Sequence, residues 1–466
     1  MPFTTRSIIT ICFALSPITN VFAASILHPR QSPDCNSPGG IRGIDPSCWN
    51  TLGITAYTQN WWKAHQASCG SIPFSTCFLD TLKLGTHDCT GVKPGACPAP
   101  DPNANNITAQ DFYILYNIYA INQVFNSLYL AIGNANTLAS ETVGAIVTLL
   151  DPPQATNIAL NDVLTALGAG LGLISGLEGI AGLILRVSNQ IPGIAKYLFP
   201  VGTTQDQVNQ WASISNQVGT VVQQYQGSVS QIIPTINNDV TNFIAFASTG
   251  GFSVTPLPDL SNESNALLKG LTTFIVGKAL ESSNIHIGRA VDTDVNALQL
   301  NSSDTISYDT GCGKGYDAAG ICGPFWFDHK NAVTYSLNNY NHMPTNYHDV
   351  METLFANWTT GDLLFGGAAR CAAQGGPKGS LAQTVLGANG QVTIDCLSSA
   401  KICTWDVNSL YVDHEFTDCP SQPGYVANGC SGTCGNSDGA TASVNVPNGY
   451  LGAYLLGSNM ACVCNT

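Results

Sequence analysis

Basic residues are scarce in this sequence. Lys and Arg together number 16 of 466 residues, against 30 Asp and Glu, and the formal net charge is −14. Binding to a phosphate backbone is built on Lys and Arg, so nucleic acid is excluded as a partner. Charge of either sign is thin: 10% of residues are charged, where a typical soluble domain has about 25%. Solvation therefore falls on Asn, Gln, Ser and Thr, and on glycans. The chain has no H-E-x-x-H and no phosphate-cradling glycine loop, so no cofactor and no metal are implied. It shows no internal repeat. Cysteine is absent from 98–311.

Elsewhere cysteine is dense. Of the 17 cysteines, Cys12 lies in an export signal. Arg6 supplies its basic start, Ile8–Leu15 its short apolar run, and Val21 and Ala23 the small residues before a cut after Ala23. Removing 1–23 takes Arg6 with it and leaves a mature chain of charge −15 with 16 cysteines. An even number suits pairing in an oxidising compartment. Six form one cluster: Cys35, Cys48, Cys69, Cys77, Cys89 and Cys97. Ten form another: Cys312, Cys322, Cys371, Cys396, Cys403, Cys419, Cys430, Cys434, Cys462 and Cys464. Each cluster is even and can close within itself, but spacing does not give the pairing. Cys430, Cys434, Cys462 and Cys464 have the makings of a thiolate zinc site, and in a secreted chain disulfides take precedence. Four sequons mark glycosylation at Asn106, Asn262, Asn301 and Asn357. The localisation expected is extracellular.

The pattern divides the mature chain into three. Residues 24–106 read as a disulfide-rich region with helices over Thr55–Cys69 and 74–83, then a proline-rich linker. Residues 107–283 read as a cysteine-free antiparallel helical bundle. Its first helix starts at an N-cap, Thr108, with Asp111 three residues on, and carries Ile114, Ile118, Ile121, Phe125, Leu128 and Ile132 in one seam. A long helix over 204–247 kinked at Pro234, and another over 264–282, complete it. Residues 284–466 read as a disulfide-rich α+β domain. It has a hairpin of strands near 325–327 and 332–337, a helix near 345–358, and a second hairpin turning at Asn389-Gly390. The fold class is thus α+β, mainly α.

One segment of the bundle stands apart. Residues 163–187 are apolar but for Glu178 and Arg186, and Gly168, Gly172 and Gly176 recur every fourth residue, on one face of a helix. A buried central helix accounts for that pattern. Membrane contact through 163–187 is the second reading, since the length suffices to span a bilayer.

Catalytic signatures are weak. Gly435-Asn436-Ser437-Asp438-Gly439 matches G-x-S-x-G, but it lies in a cysteine-pinned loop, and no histidine follows His414. Asp328-His329 and Asp413-His414-Glu415 are neighbours in sequence, which sets adjacent side chains apart on a strand. His342, His348, Asp349 and Glu352 lie close in sequence without metal-ligand spacing. A carboxylate hydrolase would draw on Asp349, Glu352, Asp413 and Glu415.

The stretch "DTGCGKGYDAAGICGPFWFDHKNAVTYSL", the terminal "ACVCNT" and the signal together resemble uncharacterised secreted cysteine-rich fungal proteins. That resemblance brings no activity and no residue role. The expected function is binding, without catalysis, to an extracellular surface, cell wall or host protein partner. The alternatives are a membrane-perturbing protein that releases 163–187, and a secreted hydrolase using carboxylates of the C-terminal domain.

Overall fold

The structure is a computed structural model. It describes residues 34–36, 44–85, 87–101, 107–173, 197, 207–254, 257–283, 285–291, 326–328, 330–331, 333–338, 347–377, 381–385, 393–400, 402–406 and 463–464. The signal, Asn106, Asn301, Gly176 and Glu178 lie outside these residues. The fold is mainly helical.

Three helices open the described chain: α1 (Cys48–Thr51), α2 (Ile54–Cys69) and α3 (Phe74–Thr81). Three disulfides close it on itself, Cys35–Cys48, Cys69–Cys77 and Cys89–Cys97. Each joins neighbours in sequence, so the first cysteine cluster is satisfied internally. The 89–97 loop is held by side-chain amides. Asn122 donates to Gly91 O, Gln123 to Cys97 O, and buried Asn237 to Cys89 O, each at 3.0 Å. These bonds fill buried carbonyls that have no helix or sheet partner. The expected linker therefore starts from a stretch fastened to the bundle.

The long helix α4 (Ala109–Leu150) begins as the sequence implies. Thr108 Oγ1 accepts from Asp111 N at 3.1 Å, and Asp111 Oδ2 accepts from Thr108 N at 3.3 Å, a reciprocal capping box. All six seam residues, Ile114 to Ile132, are fully buried. Past Ile132 the seam continues on small residues, Ala135 and Ala139, then Val143 and Ile146.

The helix expected over 204–247 is broken. A short strand β2 (Gln207–Gln210) pairs antiparallel with β1 (Ala155–Ala159), followed by α6 (Trp211–Ser230), α7 (Ile232–Asn237) and α8 (Val240–Ala247). Pro234 is the third residue of α7, where its missing N–H costs nothing. The larger break comes after it, where Asp239 takes extended dihedrals and caps α8 by accepting from Asn242 N at 2.8 Å.

Helices α4 and α6 run antiparallel and meet over glycine. A Cβ on Gly133 would touch Gln226, one on Gly219 would touch Ser140, and one on Gly144 would touch Ser215. Positions rise along α4 as they fall along α6. Polar side chains lie over bare backbone on this seam, which lets two helices of neutral surface approach closely.

The glycine-rich segment begins as α5 (Leu160–Ala169), and the α-helix expected to run from 163 ends at Ala169. Residues Gly170–Leu173 tighten into a 3-10 turn. Two glycines in four residues weaken an α-helix, and a tighter turn shifts the glycine row. Gly168 is buried and Gly172 exposed. The close approach is made by another pair, Gly170 and Gly270, the latter on α9 (Ser264–Ser282). A Cβ on Gly170 would sit 2.6 Å from Leu267 Cα, and one on Gly270 would sit 2.5 Å from Ala166 O. No helix among the described residues is long and apolar enough to cross a membrane.

The last part is built on a five-stranded sheet. Its order is β4 (Trp326–Asp328), β5 (Val333–Asn338), β3 (His286–Val291), β6 (Ile402–Asp406), β7 (Val463–Cys464). All neighbours are antiparallel except β3 and β6. The β4–β5 hairpin is the expected one. Buried Asp328 turns it, accepting from the backbone of Lys330 and Asn331 through Oδ1 and from the Asn331 side chain through Oδ2. Helix α10 (Tyr347–Asn357) also falls where expected. A π-turn over Asp362–Gly366 runs into α11 (Gly367–Ala373), which Cys371–Cys396 ties to a 3-10 turn at Asp395–Leu397. In the stretch read as a second hairpin, α12 (Leu381–Val385) covers the first residues, and the expected turn at Asn389-Gly390 lies outside the described residues. Buried residues from all three parts of the chain form one core cluster, running from Cys35 through α4, α6 and α9 to Ile402.

Candidate binding surface

Helix α2 carries a group of half-buried aromatic side chains, Trp61, Trp62 and His65. Its inner side is built on α3, whose Phe74 and Phe78 are fully buried. Trp61 meets Phe78 edge-on at 4.7 Å, and Trp62 meets Phe74 edge-on at 5.8 Å. Edge-to-face packing of this kind fixes ring orientation. One turn along α2, the His65 ring stacks on Trp61 at 4.4 Å. His65 Nδ1 lies 2.8 Å from Trp61 O. A carbonyl only accepts, so Nδ1 is the donor in this contact. Trp61, Trp62 and His65 are half-buried, while Gln59, Asn60, Lys63 and Gln66 around them are exposed. Cys69–Cys77 ties the end of α2 to α3, so the rings sit on a short, cross-linked platform. The surface offers half-buried aromatic side chains ringed by amide donors and acceptors. The sequence reading placed a helix here but did not see the group; the signal was the W-W-x-x-H spacing, which brings Trp61 and His65 onto one face.

A charged cluster around Arg370 is internally satisfied. Arg370 Nη1 donates to Asp362 at 2.8 Å and Nε to Asp395 at 2.7 Å. Burial works to lower the Arg370 pKa, but these two carboxylates outweigh it and hold the guanidinium above its ordinary value. With a carboxylate on each side, it clamps the π-turn to the Asp395 turn. Nearby, burial raises the Tyr335 hydroxyl above the usual phenol value, against a hydrogen bond from Arg289 that lowers it.

Two of the sequence candidates for chemistry are described with their side chains, Asp328 and Glu352. Glu352 is exposed on α10, and Asp328 is spent in its turn. The side chains of His348 and Asp349 lie outside the described residues, as do His329, His342, Asp413, His414, Glu415, Ser437, Cys430 and Cys434. Among the described residues no group of three His, Cys, Asp or Glu is placed to hold a metal. Of the sequons, Asn262 and Asn357 are solvent-exposed, as attachment of a glycan requires.

One half-buried acid makes stability depend on pH. Burial raises the Asp162 carboxyl above the usual aspartate range, opposed by the Lys278 charge and a backbone hydrogen bond at Leu381. A raised folded-state pKa means the native state binds the proton more tightly than the unfolded chain. Stability from this group is complete below the unfolded value of about 3.9 and is lost as pH rises through the folded one. Asp162→Asn is therefore expected to raise the thermal midpoint at neutral pH, with the gain vanishing in acid. Scanning calorimetry of both proteins across that range checks the sign.

A scan of family models, a search of curated proteins and a search of solved structures each returned no match to this chain.

Proposed function

We propose that the protein works outside the cell as an acidic, disulfide-stapled glycoprotein that binds a neutral polysaccharide surface through α2. The supporting observation is the half-exposed Trp61, Trp62 and His65 group ringed by Gln59, Asn60 and Gln66. Sugar rings present flat C–H faces that lie on indoles, and hydroxyls that pair with amides. The net charge of −14 repels anionic polymers and leaves neutral ones. Four disulfides among the described residues suit an oxidising location.

Sedimentation with insoluble chitin and β-glucan tests the reading. Wild type is expected to pellet with one of them. Trp62→Ala should weaken retention about tenfold, a loss of about 1.4 kcal/mol. Trp62 is the residue to remove because its contacts to α3 are fewer than those of Trp61, so the fold survives. Failure of the wild type to pellet with either polymer, or equal retention of the variant, rejects the proposal.

A further inference from the structure

The pairing of the second cysteine cluster is open in sequence, and one described disulfide, Cys371–Cys396, accounts for two of its ten members. The sheet register assigns two more. Strands β6 and β7 are antiparallel, with Cys403 directly opposite Cys464 and Thr404 opposite Val463. Opposed residues of an antiparallel ladder share a sheet face, with Cα atoms about 4.5 or 5.5 Å apart according to the hydrogen-bonding phase. Both separations fall inside the span of about 4.4–6.8 Å that a disulfide bridges. A slip of one residue would set Thr404 against Cys464 and forbid the bond.

We propose that Cys403 and Cys464 form a cross-strand disulfide that fastens the C-terminal strand to the edge of the sheet. Strand β7 has two residues, too few for backbone hydrogen bonds to hold a segment so distant in sequence from β6. A covalent tie supplies what the ladder lacks. It also covers β6, whose other edge is paired with β3, and so closes an edge that invites pairing with other chains.

The chemistry is thiol–disulfide exchange with a disulfide oxidant of the secretory compartment. One cysteine, as thiolate, attacks the oxidant's disulfide and releases one of its thiols. The second cysteine, deprotonated in turn, attacks the mixed disulfide and releases the other. The protein loses two hydrogens and gains the S–S bond, and the oxidant takes up two electrons and two protons as a dithiol.

Peptide mapping of the secreted wild-type protein tests this. Free thiols are alkylated under denaturing, non-reducing conditions before digestion and mass spectrometry. The expected result is a linked pair of peptides containing Cys403 and Cys464, with fragmentation placing the bond on Cys464 rather than Cys462. A Cys462→Ser variant should keep the link. Cys403 bonded to any other cysteine, or recovered alkylated, overturns the proposal. Because the decisive map is made on wild type, poor folding of a variant does not obscure it.

Discussion

Gly270→Ala should destabilise the protein by about 2 kcal/mol, within the range for inserting a methyl into a filled core. The added carbon would lie 2.5 Å from Ala166 O, 2.8 Å from Gly170 N and 3.0 Å from Gly170 Cα. All three are backbone atoms of α5 and the turn after it, so no side chain can swing aside. The helices must separate, and Leu267 and Leu271, both fully buried, lose packing with them. Alanine itself favours a helix by up to about 1 kcal/mol over glycine, and the prediction is net of that gain. Gly227→Ala on α6 isolates the gain, because a Cβ there meets nothing within 4 Å. That variant should be stabilised. Urea unfolding of the pair is expected to move the two midpoints in opposite directions. A shift in the same direction would mean α5 and α9 are not in backbone contact.

Trp49→Ala should cost more, about 3–5 kcal/mol, the range for removing a buried tryptophan. Trp49 is 2% exposed, and its Nε1 donates to Thr55 Oγ1 at 2.8 Å. Its ring lies 6.2 Å from Tyr113 of α4 and 6.3 Å from Phe243 of α8. One side chain thus joins the cysteine-bearing N-terminal part to two bundle helices. The same junction holds Tyr113, whose hydroxyl donates to Asp45 O and whose pKa burial pushes up to about 12, partly offset by Ser253. The cavity has walls from three elements, and a disulfide, Cys35–Cys48, keeps the neighbouring backbone from collapsing into it. Guanidinium unfolding should show a lowered midpoint with an unchanged slope. An effect under about 1 kcal/mol would mean that the N-terminal part rests on the bundle without sharing its core.

Where one local pattern decided an element, the sequence was legible. Thr108 and Asp111 mark the start of α4, and the Ile114–Ile132 spacing marks its buried face. Asp328 and the alternation after Val333 mark the β4–β5 hairpin. Where tertiary contact decided, the sequence was silent. The glycine row at 168, 172 and 176 drew the eye by its spacing, but the backbone approach uses Gly170 and Gly270, a pair about 100 residues apart that no local period links. The break at Asn238–Asp239 was masked by an apolar stripe that continues straight through it, from Ile236 to Phe243. Strand β1 was missed because its partner, β2, is distant in sequence and only four residues long. The α2 aromatic group needed α3 beneath it to become a surface. Its residues were visible, but not the two phenylalanines that turn the tryptophans outward.

The binding account rests on those tryptophans, and their fluorescence reads them directly. Titration of the mature protein with a soluble oligosaccharide of the polymer that retains it should shift tryptophan emission along a saturable curve. Trp62→Ala should move the curve to about tenfold higher oligosaccharide concentration while its far-ultraviolet circular dichroism stays that of wild type. An emission spectrum unmoved by chitin or β-glucan oligosaccharides, or a Trp62→Ala variant whose curve matches that of wild type, would contradict it.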